Sequence, residues 1–292
     1  MSPETNPSIL RLALPKGRMQ EGVTRLLEDA GVRLRATARD YRPSVSLADT
    51  DAKVLKPQNI IGMLAAGARD VGFAGADWAA ELGADVVELL DTGLDPVRLV
   101  AAAPPSALKN GRLPTDRPLV VATEYDRLTR RWIASRSLNA AVLRSWGATE
   151  VLPPEDADCI VDNTATGGTL AANGLEVVDE VMRSSTRLYA SPRALERPDI
   201  RRRIDDLVTL LRSVLDARRR VMFEVNVSAD RLETVVEALP CMREPTISTL
   251  HGGGWYAVKA AVPRDALPTL IPAVKSRGGV DIVVSSLSQI VP

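Results

Sequence analysis

The chain reads as an α/β protein: a core of two α/β blocks, then a smaller C-terminal module with the element order βαββαβ. Three observations predict this. Short apolar runs alternate with amphipathic ones from Ile9 to Ala190, the pattern of strands interleaved with helices. Pro104, Pro105 and Pro114 interrupt the alternation and split it into two blocks. From Val221 onward the spacing changes to strand, helix, two strands, helix and strand, which is the ferredoxin-like order.

Ile9 to Leu14 reads as a strand, Pro15-Lys16-Gly17-Arg18 as a tight basic loop, and the amphipathic run through Leu27 as a helix. After a less regular region, Asn59 to Gly67 is helical with a glycine stop, and Val71 to Gly75 is a short strand ending at Ala76-Asp77. Val86 to Leu90 and Val97 to Ala103 read as two further strands. The second block opens with a strand at Leu119 to Thr123 and a helix from Asp126 to Asn139. A strand from Thr149 and a buried strand ending at Cys159-Ile160-Val161 follow. Val177 to Ala190 returns the chain to the first block, and Arg193 to Arg220, rich in charge and leucine, reads as a solvated helix leading out of the core. Strands at Val221 to Val227, Thr246 to Leu250, Trp255 to Val262 and Val280 to Ser286, with helices at Arg231 to Leu239 and Asp265 to Arg277, make the terminal module. The expected boundaries are a flexible tail at 1–8, lobe I at 9–103 and 185–216, lobe II at 104–184, and the module at 220–292. Such a module senses a small molecule or builds an oligomer interface.

Composition narrows the function. With 292 residues, 45% of them apolar, the chain can bury proper cores. Lys+Arg and Asp+Glu both number 37, and the few aromatic residues are not interleaved with basic patches, which argues against nucleic acid. Apolar stretches such as Leu99 to Pro105 are too short for a membrane span. The first eight residues have neither the basic start nor the apolar run of a signal peptide, and Cys159 and Cys241 lack metal or redox spacing. A cytoplasmic protein with core thiols is expected. Neither GxxxxGK[ST] nor GxGxxG occurs.

The most informative stretch is Asp162-Asn163-Thr164-Ala165-Thr166-Gly167-Gly168-Thr169-Leu170, set between an apolar strand and a helix start. Backbone N–H groups without intrahelical partners converge at such a junction and favour an anion. Gly167 and Gly168 permit positive φ and a close approach, and Thr166 and Thr169 supply hydroxyl donors. Asp162 would repel a phosphate, so it suits ribose hydroxyls, directly or through a metal ion. The same composition also suits a polar turn that caps a helix.

Several motifs, in order, resemble the ATP phosphoribosyltransferases that begin histidine biosynthesis, in their long form. They are LRLALPKGRMQEG at 10–22, LKPQNI at 55–60, AAGARDVGFAGADW at 65–78, ATEYDRLTRRWI at 122–133, SWGATEVLPPEDADCIVDNTATGGTLAANGL at 145–175 and REPTISTL at 243–250. The resemblance covers nearly the whole chain. It implies a two-lobed, periplasmic-binding-protein-like catalytic core with a ferredoxin-like regulatory domain. It also implies transfer of the phosphoribosyl group of phosphoribosyl pyrophosphate to N1 of ATP, with Mg2+ held mainly by substrate and Asp162 as a possible ligand. On this resemblance Asp162, Ala165, Thr166, Gly167, Gly168 and Thr169 would hold the sugar phosphate. Lys16, Gly17, Arg18, Asp77, Glu124 and Tyr125 would serve ATP or pyrophosphate, with Lys16 and Arg18 the electrostatic candidates for catalysis; a solvated helix start is the plainer reading of the basic loop. Asn226, Thr246 and Asp281 would contact histidine as a feedback inhibitor, in a homo-oligomer between dimer and hexamer. The single histidine, His251, reads as a loop residue. The chain departs from the family at Asn59, often an aspartate, and at Thr164-Ala165, often an acid or another polar residue. Two rivals share parts of the pattern: a two-lobed solute-binding protein, which the missing signal peptide opposes, and a free-base salvage phosphoribosyltransferase, which would carry a second acid where Val161 stands.

Overall fold

The computed structural model describes residues 9–35 and 41–291; the expected tail at 1–8 lies outside the described residues. The chain divides into two compact units, Met1–Glu28 with Val32–Asp205, and Asp29–Gly31 with Asp206–Pro292. In chain order the first block holds β1 (Leu10–Pro15), α1 (Met19–Asp29), β2 (Leu34–Arg35), β3 (Ser44–Val45), β4 (Thr50–Leu55), α2 (Pro57–Ala65), β5 (Val71–Gly75), α3 (Ala76–Leu82) and β6 (Val87–Ala103). The second holds β7 (Leu119–Thr123), α4 (Asp126–Ser135), β8 (Ala140–Arg144), β9 (Cys159–Thr164), α5 (Gly168–Ala172) and β10 (Glu176–Ala190), followed by α6 (Pro192–Leu195) and α7 (Pro198–Arg218). The division between the units falls inside α7.

Eight strands form one mixed sheet in the order β4-β1-β5-β10-β6-β9-β7-β8. Strands of the first block occupy one end and those of the second the other, and the long antiparallel pair β6 and β10 joins them. Each half is parallel within itself, so the loops that leave its strand ends emerge on one edge. Fully buried Val121, Cys159 and Val161 anchor the second half, in one apolar cluster with Ala13, Ile60 and Leu99. Burial of that kind contributes about 1.5–3 kcal/mol per large side chain.

Three sequence expectations are corrected. The two strands expected at Val86 to Leu90 and Val97 to Ala103 are the single strand β6. A bulged register with β10 carries it through Asp91 to Pro96, where Thr92 donates to the Thr186 carbonyl at 2.5 Å and Gly93 and Asp95 take positive φ. The strand expected from Thr149 is a 3-10 turn at Thr149–Val151, and the strand lies upstream as β8. β8 is the sheet edge and buries little, so its sequence shows no alternation. The region read as irregular contains β2, β3 and β4.

The second unit contains β11 (Arg220–Ser228), α8 (Leu232–Val236), β12 (Thr246–Thr249), β13 (Trp255–Pro263), α9 (Leu267–Ser276) and β14 (Val280–Ser286). Its antiparallel sheet has the order β12-β13-β11-β14, the ferredoxin-like arrangement. Val221, Phe223, Val225 and Val227 alternate inward along β11 and pack with Val235, Leu270 and Val274 of the two helices. Cys159 is buried, which pushes its thiol up to about 12, and Cys241 is half-buried; both are free. His251 is exposed in the turn before Gly252. Among the described residues, no helix is long and apolar enough to cross a membrane.

Candidate functional site

The Asp162–Leu170 segment, expected as a loop after Val161, comprises the last three residues of β9, a turn at residues 165–167 and the start of α5, and it is held at both ends. Val161 and Thr164 are buried on the strand side, and Leu170 packs in an apolar cluster with Ile160 and Leu175 on the other. Within the loop the Gly167 N–H donates to Thr164 Oγ1 at 2.9 Å and the Gly168 N–H to Thr166 Oγ1 at 3.4 Å. Gly167 has φ 82°, a left-handed conformation that disfavours side chains, although a Cβ there would meet nothing within 4 Å. The helix that follows has only five residues, so the cradle is built by the loop itself more than by a helix dipole.

This loop forms one wall of a cavity of about 440 Å³, whose lining also includes Arg18, Glu124 and Glu150. Arg18 comes from the β1–α1 loop of the first block, and the other residues come from the second. Asp162 accepts the Asn163 N–H at 2.6 Å, yet its carboxyl is pushed up to about 6, first by burial and then by the charges of Glu124 and Glu150. A polar cavity lined by Arg18 from one block and, from the other, by Asp162 of β9, Glu124 just beyond β7 and Glu150 of the 3-10 turn can take a ligand that carries phosphate at one end and hydroxyls or a hard cation at the other.

Behind the cavity a buried chain of hydrogen bonds crosses both blocks. Ser184 Oγ and Tyr125 Oη each donate to Asp77, at 2.7 Å, and Asn163 Nδ2 donates to Tyr125 Oη at 3.0 Å. Tyr125 also stacks on Trp78 with ring centroids 4.6 Å apart. Burial, then the Asp77 charge, drives the Tyr125 hydroxyl well above the ordinary phenol range, so it remains a donor.

Comparisons with known proteins identify the family. The family model described as ATP phosphoribosyltransferase matches residues 56–213, and that described as "HisG, C-terminal domain" matches 217–289. The ATP phosphoribosyltransferase of Pelotomaculum thermopropionicum is 37% identical over 97% of this chain and 99% of its own length. That of Chlorobaculum parvum is 34% identical over 97% and 98%. The chain belongs to the ATP phosphoribosyltransferase family. A solved structure, the ATP phosphoribosyl transferase (HisG:HisZ) complex from Thermotoga maritima, aligns at a TM-score of 0.61 and 26% identity, covering 70% of this chain and 97% of that one. The protein is therefore an enzyme of the phosphoribosyl-transfer class, with a mixed-sheet core and a separate C-terminal antiparallel sheet.

In this ATP phosphoribosyltransferase family member the expected residues fall into four groups. Asp162, Ala165, Thr166, Gly168 and Thr169 line the cavity together with Arg18 and Glu124. Asp77 and Tyr125 are 3% and 0% exposed and stand behind it, bonded to one another. Lys16 donates to the Tyr41 hydroxyl at 3.0 Å and lies over that ring, and its hydrogen bond draws the exposed Tyr41 hydroxyl below its ordinary range. In the second unit Asn226 Nδ2 donates to Asp281 at 3.1 Å, while Thr246 lies on edge strand β12, separated from β11 by β13. Sequence reasoning missed Glu150, Asn163, Tyr41 and Ser184. The first two sit inside the SWGATE and DNTATGGTL motifs, so attention to every polar residue there would have found them; nothing local marks the others.

Among the described residues, no three His, Cys, Asp or Glu side chains gather closely enough to hold a metal ion.

Proposed function

We propose that the protein joins N1 of ATP to the anomeric carbon of phosphoribosyl pyrophosphate and releases pyrophosphate, the first step of histidine biosynthesis in the cytoplasm. The single observation that supports this most is the strand-end loop Asp162–Leu170 facing Arg18 across one polar cavity. The loop takes the 5-phosphate through Thr166, Thr169 and the backbone around Gly167 and Gly168. Asp162 faces the ribose hydroxyls, and its charge favours the positive character that the sugar acquires as pyrophosphate leaves. Arg18, with Lys16 nearby in the same loop, neutralises the leaving group or the triphosphate. The adenine nitrogen already has a lone pair, so positioning and exclusion of water matter more than a general base.

The family implies Mg2+, and the carboxylates of Asp162, Glu124 and Glu150 are the hard oxygen donors such an ion takes. They are spread around the cavity, which suits an ion brought in by the pyrophosphate and completed by Asp162. Bound there, magnesium would supply neutralising charge for the departing phosphates.

The test is incubation of the intact protein with ATP, phosphoribosyl pyrophosphate and Mg2+, following absorbance for a modified adenine. Product is expected; no product from ATP but product from a free base would establish the salvage reading instead. The face of the C-terminal sheet with Asn226 and Asp281 on β11 and β14, and Thr246 on the opposite edge strand β12, is the proposed histidine site of a homo-oligomer. Asn226→Ala should then weaken histidine inhibition by about tenfold, the size of a lost charge-assisted bond. Inhibition curves that superimpose on wild type would remove that assignment.

A further inference from the structure

Trp146 is 84% exposed, the highest value among the bulky apolar side chains of the described residues. Its ring is nonetheless held. The Arg144 guanidinium lies 4.8 Å from the ring centroid and 3.8 Å from Glu81, whose carboxylate accepts the Arg127 and Leu128 N–H groups at the start of α4. One face of the indole is covered by an anchored cation and the other faces solvent.

The sheet register sets where that free face stands. Thr123 at the end of β7 lies opposite Arg144 of β8 on one side and Val161 of β9 on the other. Continued by one residue, that register sets Glu124 beside Asp162 of β9 and Ser145 after β8, so Trp146 stands one residue further on along the same strand-end row, and ligands of open parallel sheets bind beyond such ends. The turn that bears Trp146 is fastened: Ser145 N donates to the Thr123 carbonyl at 3.0 Å, and the Ser145 and Thr149 hydroxyls are 2.8 Å apart. A Cβ on Gly147 would stand 3.9 Å from Glu124 Oε1, so the turn abuts the cavity wall. The sugar-phosphate loop occupies the β9 end. A partner that attacks the sugar from the side of Glu124 lies over the β7 and β8 ends.

We infer that Trp146 is the stacking platform for the adenine ring of ATP, its far face backed by Arg144. The inference rests on the proposed reaction for the identity of the ring, and on the register for its place. Planar stacking on an exposed, preordered indole holds a base without reading its edge, leaving N1 free to react.

Because the side chain is exposed, Trp146→Ala leaves the packing intact. It should raise KM for ATP about tenfold, the scale of one base–aromatic stack, and change KM for phosphoribosyl pyrophosphate less than twofold. Trp146→Phe should recover most of the loss. ATP alone should quench tryptophan fluorescence in wild type and not in Trp146→Phe, whereas inorganic tripolyphosphate should quench neither. Equal changes in both KM values, no change in either, or quenching by tripolyphosphate as deep as by ATP would overturn the inference. A shift in sedimentation with unaltered ATP parameters would assign the indole to a protein contact and overturn it too. If wild type forms no product, the reaction proposal fails, and the fluorescence titration still decides the role of Trp146.

Discussion

Two loops of this chain share a plan and divide the labour. Lys16-Gly17-Arg18 and Asp162–Leu170 both join a strand to a helix, and both turn on a glycine in the left-handed region, Gly17 at φ 85° and Gly167 at φ 82°. Neither glycine is crowded, so conformation and not space demands it. The first loop feeds an eleven-residue helix and presents free positive charge at Arg18, while Lys16 is tied to Tyr41. The second feeds a five-residue helix, accepts its own Gly167 and Gly168 N–H groups on the Thr164 and Thr166 hydroxyl oxygens, and carries a carboxyl that burial has made a weak acid. In the proposed reaction the loop of charges draws the diphosphate or triphosphate, and the loop of ordered dipoles with a strained acid sets where the sugar and its 5-phosphate go.

The largest expected effect tests the strained acid. Asp162→Asn should lower kcat/KM for phosphoribosyl pyrophosphate by about 10³-fold, the upper range for a preorganised electrostatic group. Wild-type kcat/KM should rise with pH through about 6, as the carboxyl ionises, and the variant should lose that limb. The sign for stability is opposite. A folded-state value raised from 3.8 means that the contribution is full below 3.8 and lost as pH rises through about 6. Asp162→Asn should therefore make the ligand-free protein about 3 kcal/mol more stable at pH 8, and little more stable at pH 4, in urea unfolding. Equal stability at both values would mean the carboxyl is not strained.

Next in size, Gly167→Val should weaken phosphoribosyl pyrophosphate binding by about 100-fold, combining a left-handed penalty of roughly 1–2 kcal/mol with the loss of loop hydrogen bonds of about 1 kcal/mol each. ATP affinity, read by calorimetry on the same sample, should stay within about twofold. Parallel losses would erase the distinction between the loops.

The smallest effect separates the two cations of the basic loop. Arg18→Ala should raise KM for phosphoribosyl pyrophosphate by about 30-fold, in line with loss of a charge-assisted bond, and Lys16→Ala by about threefold because its ammonium already serves Tyr41. A reversal of that order would show that Lys16 leaves Tyr41 when substrate arrives.

Most of the fold was legible because it is written in local periodicity. β5, β7 and β14 fall where the apolar runs place them, and the terminal module keeps its βαββαβ order. β8 was not legible, since an edge strand buries too little to impose alternation, and β6 was divided because its bulged middle contains Gly93 and Pro96. At the site, the residues of one contiguous motif were legible together, and those brought from afar were not. Ser184 reaches Asp77 across 107 positions, and no feature of either neighbourhood announces the pairing.

By itself the sequence determined an α/β core with a ferredoxin-like appendage and a glycine- and threonine-rich turn at a strand-to-helix junction, because glycine, threonine and strand spacing act over a few residues. Only the tertiary structure decided that Arg18 faces that loop, that Asp77 and Tyr125 stand behind the cavity, and that Asp162 is driven up to about 6. Those outcomes depend on burial, on Glu124 and Glu150 brought near Asp162 by the β7–β9 pairing and the 3-10 turn, and on the β6–β10 pairing that joins the blocks, all properties of contacts distant along the chain.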